Sequence, residues 1–179
     1  MSFELHSARL LLRPIQLEDA EGMFELNNAG DVLKNTGDKP FADLDEVKLF
    51  IKNYDQFKKY KMGRFTLIEK SSNKYIGWCG LKYNDETKEV NLGYRLIPQF
   101  RGKGLATEAA EICLDYGFET LNLEEIIGRA ISENTPSIKI LRNIGMVFEK
   151  SFDAHDSICH QYKLTYTEWR NHKLQLNDK

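Results

Sequence analysis

The chain has 179 residues, of which 41% are apolar and 29% are charged, values that fit one globular domain with its own core. Lysine and arginine number 25 against 27 aspartate and glutamate, which leaves a net charge of −2. That balance provides no overall field for a polyanion, so nucleic acid is excluded as the expected partner. No purely apolar run exceeds three residues, whereas a membrane span needs roughly 20.

Cysteine and histidine spacing gives no sign of a metal site. The three cysteines form no CxxC pair, and the four histidines form no HxxxH or HExxH pattern, so no zinc or other metal is predicted. The thiols are expected to be reduced and packed as small hydrophobic groups. Met1–Glu4 has neither the basic start nor the apolar stretch of a signal peptide. The expected location is the cytoplasm.

The first half of the chain changes its hydrophobic period from strand to helix and back to strand. Acidic residues begin the first helix, and Val47, Ile51 and Tyr54 recur at helical spacing in the second. Turn residues then separate three apolar runs of strand length. The predicted elements are a strand at Arg9–Pro14, helices at Leu17–Asn28 and Asp43–Tyr60, and strands at Arg64–Lys70, Tyr75–Tyr83 and Glu89–Ile97.

The second half alternates helices with strands and ends in an antiparallel pair. Its predicted elements are a helix at Gly104–Leu121, a strand at Glu125–Ile131, a helix at Pro136–Asn143, and strands at Met146–Phe152 and Ile158–Thr165. This order indicates an α/β (α+β) fold with a single mixed, mostly antiparallel sheet of about seven strands packed by helices. One domain is expected over residues 1–179.

The third strand of the ladder has one apolar face and one polar face. Side chains alternate along a strand, so Val90, Leu92, Tyr94 and Leu96 share a face that is expected to look into the core. The other face is polar: Glu89, Asn91, Gly93 and Arg95. A glycine there suits the close approach of a ligand or of another backbone segment.

The turn after this strand has the composition of a phosphate-binding loop. Arg101-Gly102-Lys103-Gly104 ends a strand and opens a long helix, whose first amides lack intrahelical partners. Glycines would let a diphosphate reach those N–H groups, and the two cations would add charge. Walker A does not fit because Gly104 follows Lys103, and the dinucleotide fingerprint does not fit because position 107 is Thr. A flexible helix start with solvated cations is the alternative interpretation.

With the preceding glutamine, Gln99-x-x-Gly102-x-Gly104 resembles the acetyl-CoA pyrophosphate loop, Q/R-x-x-G-x-G/A, of the GNAT superfamily of N-acetyltransferases. The whole pattern is similar to the RimJ/RimL-type branch, which acetylates ribosomal proteins. Further matches follow in the family's order at Arg9–Arg13, Ile76–Leu81, Leu92–Pro98, Gly102–Ala109, Glu133–Ser137 and Gly145-Met146. The resemblance covers residues 7–165 and leaves a short C-terminal tail.

The resemblance implies a GNAT-like sheet that is splayed in the middle, with acetyl-CoA as co-substrate in the gap. The pantetheine arm would pair with the backbone of Tyr94, Arg95 and Leu96. Asn134 would hydrogen-bond the arm, and it also suits the N-cap of the following helix. The pyrophosphate would lie on Arg101, Gly102, Lys103, Gly104, Leu105, Ala106 and Thr107.

The resemblance also implies the catalytic candidates. Ser137 matches the position that protonates the departing thiolate in this branch; a small polar residue in a helical first turn is the alternative interpretation. Many relatives have a tyrosine acid at the position of Leu141 and a glutamate at the position of Asn91. Glu89, on the same strand face as Asn91, is therefore the candidate base, directly or through water. Glu149, His155 and His160 are weaker candidates, as is Cys79 as a nucleophile.

The predicted activity is transfer of an acetyl group from acetyl-CoA to a primary amine by direct attack in a ternary complex. The acceptor stays open between a peptide N-terminus, an amino acid, a polyamine and an aminoglycoside, and the chain is expected to be a monomer or a homodimer. A coenzyme-binding sensor or interaction module without catalysis is the alternative, because the acid and base positions differ from the common pattern.

Overall fold

The structure, a computed structural model, describes residues 3–30, 32–33, 39–154 and 157–177. Eight strands form one sheet in the order β1-β2-β3-β4-β5-β6-β8-β7. Neighbours pair antiparallel except β5 and β6, which are parallel. The strands are β1 (Leu5–His6), β2 (Leu10–Pro14), β3 (Arg64–Glu69), β4 (Lys74–Tyr83), β5 (Val90–Leu96), β6 (Glu125–Ile131), β7 (Val147–Ala154) and β8 (Ser157–Thr165).

Helices cover the sheet, and within the described ranges none is long and apolar enough to cross a membrane. Short 3-10 turns lie at Leu17–Asp19 and Pro98–Phe100, and a π-helical turn at Tyr116–Thr120 follows α4. The helices are α1 (Ala20–Asn28), α2 (Leu44–Asn53), α3 (Gln56–Tyr60), α4 (Leu105–Asp115), α5 (Thr135–Asn143) and α6 (Tyr166–Asn177).

The predicted fold class is confirmed, with one more strand than the sequence indicates. The seven predicted strands correspond to β2 through β8, and the eighth is the two-residue β1, which is too short to show a hydrophobic period. The single helix predicted over Asp43–Tyr60 is wrong, because the backbone leaves helical geometry at Tyr54 with ψ at 98°. The Tyr54 hydroxyl there accepts a hydrogen bond from the Arg64 N–H, at 2.8 Å.

Strand β5 divides its side chains as the alternation predicts. Val90, Leu92 and Leu96 are buried in the main core with α4, and Tyr94 packs against that core. The opposite face of β4 and β5 carries Trp78, which packs with α1 in a smaller cluster. The polar face of β5 therefore points into a space bounded by the N-terminal helices, while the apolar face anchors α4.

The C-terminal helix, which lies outside the family resemblance, completes the packing. The C-terminal residues form α6, whose Trp169 is buried in the main core and donates from Nε1 to Asp115, at 3.1 Å. Lys173 pairs with the same carboxylate at 2.7 Å. These contacts fix α6 to the end of α4, so this helix is part of the folded domain.

Candidate active site

The sheet opens between β5 and β6. The two strands pair only at Asn91–Ile127 and Leu92–Gly128, although β5 continues to Leu96 along β4. In the described chain, the β5 edge beyond Leu92 therefore lacks a strand partner on its β6 side. This is the splay that the resemblance implies, and it leaves backbone donors and acceptors available to an extended ligand.

A cavity of about 490 Å³ lies in the opening between β5 and β6. It lies between the end of β5, the loop that precedes α4, and the first turns of α5. Most of the residues predicted to bind the coenzyme line it, including all three from β5. The lining consists of Val32, Tyr94, Arg95, Leu96, Arg101, Gly102, Gly104, Leu105, Ala106, Thr107, Asn134, Pro136, Ser137, Lys139, Ile140 and Asn143.

The loop backbone shows why glycine stands at two of its positions. Gly102 and Gly104 have φ of +73° and +77°, in the left-handed region that is costly for residues with a Cβ. A Cβ on Gly102 would meet no protein atom within 4 Å. Gly102 thus faces open space on the cavity side, and its main chain can be reached without a side chain in the way.

Helix α4 presents its N-terminus to the same cavity. The first α-helical hydrogen bond runs from the Glu108 N–H to the Gly104 carbonyl, at 3.0 Å. The three preceding N–H groups therefore have no intrahelical partner. Those amides belong to Leu105, Ala106 and Thr107, and all three residues line the cavity. Unpaired N–H groups and the positive end of the helix dipole together make an anion site.

The two predicted cations of the loop are placed differently. Arg101 lines the cavity and donates from Nε to the Leu96 carbonyl, at 2.9 Å. The Lys103 ammonium lies 5.3 Å from the centre of the Phe100 ring, and Lys103 is absent from the described lining. Arg101 therefore ties the loop to the end of β5, while Lys103 contributes charge from outside.

Side-chain contacts of Ser7 and Arg9 hold the glycine-rich loop and the start of α4 on the side away from the cavity. The sequence did not predict these contacts. Arg9 donates to the Lys103 carbonyl at 2.8 Å and pairs with Glu108 at 2.6 Å. Ser7 Oγ donates to the same carboxylate, also at 2.6 Å. Burial alone would raise the pKa of Glu108, but hydrogen bonds from Ser7 and Arg9 outweigh it and the net pKa is lowered.

Glu108→Gln is expected to destabilise the protein by no more than about 1 kcal/mol at pH 7, because Arg9 is half exposed and solvent screens the pair. A carboxyl with a lowered pKa contributes stability above its unfolded value, about 4.3, and loses it as pH falls through the folded value. Urea unfolding of both proteins from pH 7 to pH 3 should show the difference shrink toward the acid end. A difference in unfolding free energy that does not depend on pH would contradict a stabilising role for the ionised Glu108.

The start of α5 faces the cavity across the opening. Asn134 caps the helix, its side-chain oxygen accepting the Ser137 N–H at 3.3 Å, which confirms the predicted cap. Because the cap uses only the oxygen, the Asn134 amide NH2 can still donate to a ligand. The cap also places Ser137 in the first turn, with its side chain on the cavity.

The Tyr94 hydroxyl reaches Ser137 across the opening. It donates to the Ser137 carbonyl at 2.9 Å and lies 3.0 Å from Ser137 Oγ, where either hydroxyl can donate. Burial raises the pKa of the Tyr94 phenol, so it stays protonated at neutral pH. Sequence reasoning assigned only the backbone of Tyr94. Nothing in the sequence signals a contact between residues 43 positions apart.

A second cavity, of about 210 Å³, adjoins the first. Four residues line both of them: Tyr94, Arg95, Asn134 and Ser137. The smaller cavity is otherwise bounded by the polar face of β4 and β5 and by the end of β6. Its remaining lining residues are Arg64, Trp78, Gly80, Lys82, Asn91, Leu92, Gly93, Arg129 and Ala130.

The candidate base Glu89 and the catalytic candidate Asn91 occupy different positions. Asn91 lines the smaller cavity, and its buried Oδ1 has no hydrogen-bond partner among the described residues. Glu89 pairs with Arg129 at 2.8 Å and lies outside the described lining. Burial would raise the pKa of Glu89, but hydrogen bonds from Thr87 and Arg129 lower it overall, which makes this carboxylate a weak base.

The weaker candidates do not line either cavity in the described part of the chain. Glu149 is engaged by Lys163 and Gln161, both at 2.7 Å, and His160 Nδ1 lies 2.8 Å from Ser151 Oγ. Cys79 is fully buried, and burial raises the pKa of its thiol, which disfavours nucleophilic attack. His155 lies outside the described residues.

Comparison with known proteins agrees with this geometry. A family model described as an acetyltransferase (GNAT) domain matches residues 9–147. The chain is 35% identical to the uncharacterized N-acetyltransferase p20 of Bacillus licheniformis over 142 residues, covering 78% of this chain and 80% of p20. It is 29% identical to the spermidine N(1)-acetyltransferase of Escherichia coli K12 over 167 residues, covering 88% and 82%.

Among solved structures, a GNAT-family acetyltransferase from Bacillus anthracis superposes with a TM-score of 0.80 at 26% identity, covering 93% of this chain and all of that one. This chain combines a splayed sheet with a glycine-rich loop at the start of a long helix. The family match spans most of the chain, from β2 to the first residue of β7. The chain belongs to the GNAT family and is an acetyl-CoA-dependent N-acetyltransferase.

Proposed function

We propose that the enzyme transfers acetyl from acetyl-CoA directly to a primary amine, with the coenzyme in the larger cavity and the amine in the smaller one. The supporting observation is that the two cavities meet at Tyr94, Arg95, Asn134 and Ser137. Two substrates held on either side of one junction can react without a covalent enzyme intermediate, because proximity and orientation supply much of the rate.

The coenzyme would bind along the route that the family resemblance implies. Backbone groups of Tyr94, Arg95 and Leu96 would pair with the pantetheine arm, and Asn134 would donate to it. The diphosphate would rest on the loop and on the helix N-terminus. In this proposal the loop contacts come from Arg101, Gly102, Lys103, Gly104, Leu105, Ala106 and Thr107.

For catalysis, acetyl-CoA supplies the acetyl group and Ser137 supplies a proton to the departing thiolate. As the amine nitrogen bonds to the acetyl carbon and the carbon–sulfur bond breaks, the Ser137 hydroxyl proton moves to sulfur. Tyr94 holds that hydroxyl in place and can return a proton to it, since the two oxygens lie 3.0 Å apart; the phenol then regains its proton from solvent, which also receives the amine proton. Leu141 is buried in the core and cannot serve as the acid.

On the acceptor side, Asn91 would accept a hydrogen bond from the amine, and Glu89 would take the amine proton through water. A carboxylate with a lowered pKa is poorly suited to an amine that ionises near 10.4, as a lysine side chain does. An α-amine, with a pKa nearer 8, needs less help. The proposal therefore favours a peptide N-terminus or an amino acid over a polyamine.

Three broader assignments belong to the same proposal. The motif order and the Ser137–Leu141 pattern favour the RimJ/RimL-type branch. One catalytic domain over residues 1–179, acting as a monomer or homodimer, fits the single sheet. The free thiols of Cys79, Cys113 and Cys159 fit the cytoplasm, where cysteines stay reduced.

A panel of amines tests the proposal. The protein is incubated with acetyl-CoA and dipeptides, free amino acids, polyamines or aminoglycosides, and acetylated products are detected by mass spectrometry. Kinetics with both substrates varied should give intersecting double-reciprocal lines, as a ternary complex requires. Coenzyme binding with no acetylated product from any amine would instead support a non-catalytic coenzyme sensor.

Tyr94→Phe is expected to lower kcat about tenfold, because Ser137 loses the hydroxyl that orients it. The Kd for acetyl-CoA, measured by calorimetry, should change less than threefold, since the proposed arm contacts come from the Tyr94 backbone. Tyr60→Phe is the matched control: its hydroxyl bonds Asp85 on the surface, at 2.6 Å. Equal kcat values for both variants would remove Tyr94 from the mechanism.

A further inference from the structure

The outer edge of the Trp78 indole lies over Gly93 in the wall of the smaller cavity, which both residues line. Trp78 on β4 pairs with Arg95 on β5, so Gly93 is its diagonal neighbour on the same face of the sheet. A Cβ placed on Gly93 would lie 3.2 Å from Cζ3 and 3.3 Å from Cη2 of Trp78. The close approach that a glycine permits at this position is therefore made by the six-membered ring of the indole.

The indole is held in this position from several sides. Trp78 is 6% exposed and packs against Leu26 and Val32. The guanidinium carbons of Arg64 and Arg95 lie 4.3 Å and 5.2 Å from the centre of its ring. A side chain packed in this way cannot turn away from an incoming substrate without displacing its neighbours. Trp78 is therefore a fixed wall of the cavity.

The other glycine in the lining, Gly80, is covered by main chain instead. A Cβ on Gly80 would overlap the Gly63 carbonyl oxygen, so the backbone that leads into β3 lies over β4 at this point. Of these two glycines, Gly93 is the one covered by a side chain. A substitution at Trp78 can therefore enlarge the cavity, whereas the main-chain atoms over Gly80 stay in place whatever the side chain at position 63.

Trp78 also lies near the junction of the two cavities. Arg95, which pairs with Trp78, lines both of them, and so does Tyr94, the residue between Gly93 and Arg95. In the proposed ternary complex the reacting nitrogen lies at this junction, so the atoms next to the nitrogen meet the indole. At about 210 Å³ the cavity is below the roughly 300–1,000 Å³ of a drug-sized site, and it holds only that end of the acceptor.

We propose that Trp78 sets the size limit of the acceptor, so that the enzyme prefers a primary amine whose neighbouring carbon carries no substituent or only a small one. This rests on the proposed function and names the substrate class of that site. Bulk beside the nitrogen would require the indole to move, or would keep the nitrogen away from the thioester carbon. A displaced nitrogen reacts more slowly because the rate depends on close approach and orientation.

Three amino-acid amides of equal charge test the size limit. Glycinamide, alaninamide and valinamide differ only in the bulk beside the amine. For the wild type we expect kcat/KM to fall about tenfold or more from glycinamide to valinamide. Trp78→Phe is too short to reach over Gly93, and its kcat/KM should fall about threefold or less. The same ratio in both proteins, or a wild type that does not distinguish the amides, would overturn the inference.

Trp169→Phe is the matched control. Trp169 is equally buried, at 6% exposure, but it lies in the main core and outside the described lining of both cavities. Trp78→Phe removes no described hydrogen bond, since Nε1 of Trp78 has no partner among the described residues, whereas Trp169→Phe removes the bond to Asp115. Trp169→Phe should keep the wild-type ratio of valinamide to glycinamide. An equal change of this ratio in both variants would show that loosened packing is the cause and would overturn the inference.

Gly93→Ala tests the wall from the neighbouring strand. The β5 backbone accepts alanine because φ at Gly93 is not positive, but the new methyl would crowd the indole at 3.2 Å and narrow the cavity. We expect the fall in kcat/KM from glycinamide to valinamide to become about threefold steeper. The double variant Gly93→Ala, Trp78→Phe should return close to the wild-type ratio. An unchanged ratio in Gly93→Ala, or equal steepening in the double variant, would contradict the role of Trp78.

The two proposals fail in different ways. Acetyl transfer to no amine at all would sink the proposed function. Where the three amides are not acetylated, their binding to coenzyme A-saturated Trp169→Phe protein tests the wall, because Trp78 is then the one tryptophan of the chain and its fluorescence reports an amine beside it. Glycinamide should bind about tenfold more tightly than valinamide. Equal affinities, or no fluorescence change with any amide, would overturn only the inference about acceptor size.

Discussion

Gly102→Val is expected to weaken acetyl-CoA binding about a hundredfold or more. A β-branched residue at φ of +73° costs about 1–2 kcal/mol in the left-handed region, so the loop would change its backbone geometry to avoid it. Each charge-assisted bond from an N–H to the diphosphate that is then lost costs about 1.5–3 kcal/mol. The new side chain would also project into the space above the loop.

Isothermal titration calorimetry measures the effect, and a second variant separates its causes. Asparagine tolerates the left-handed region. Gly102→Asn should therefore recover acetyl-CoA binding if backbone strain causes the loss in Gly102→Val, and should bind weakly if any side chain there blocks the diphosphate. Thermal unfolding should show both variants folded, because a Cβ at Gly102 meets no protein atom within 4 Å. Wild-type affinity in Gly102→Val would contradict the assignment of this loop.

Ser137→Ala should lower kcat about a hundredfold while leaving the Kd for acetyl-CoA within threefold of wild type. A positioned general acid contributes about a hundredfold or more to the rate, and an alanine methyl has no proton to give. The helix should survive because the Asn134 cap uses the backbone N–H of residue 137, which the substitution keeps.

Ser151→Ala provides the control for Ser137→Ala. Its hydroxyl also forms one side-chain contact, with His160, but Ser151 lies on β7 and outside the described lining of both cavities. Its kcat should match wild type. If Ser137→Ala turns over as fast as Ser151→Ala, another group protonates the thiolate.

The turn that lines the larger cavity could be predicted because its signals are local. Two glycines and two cations between a strand and a helix predict an anion-binding turn, and in the structure both glycines have positive φ. Alternation along β5 likewise predicted its buried face correctly. Such patterns depend on neighbours a few residues apart, which the sequence shows directly.

The rest depends on contacts between distant segments. Tyr94 meets Ser137 only because β5 and β6 diverge, and Arg9 meets Glu108 only because β2 lies behind α4. Alternation along β5 placed Tyr94 on the core face but could not show which residue its hydroxyl contacts. The smaller cavity could likewise not be predicted, since Arg64, Lys82 and Arg129, which line it, come from three strands.

A crystal structure of the protein with coenzyme A tests the central claim most directly. We predict diphosphate oxygens within about 3 Å of main-chain nitrogens between Gly102 and Thr107, with the thiol end of the coenzyme beside Ser137. A diphosphate bound elsewhere, with this turn in contact with solvent only, would contradict the account.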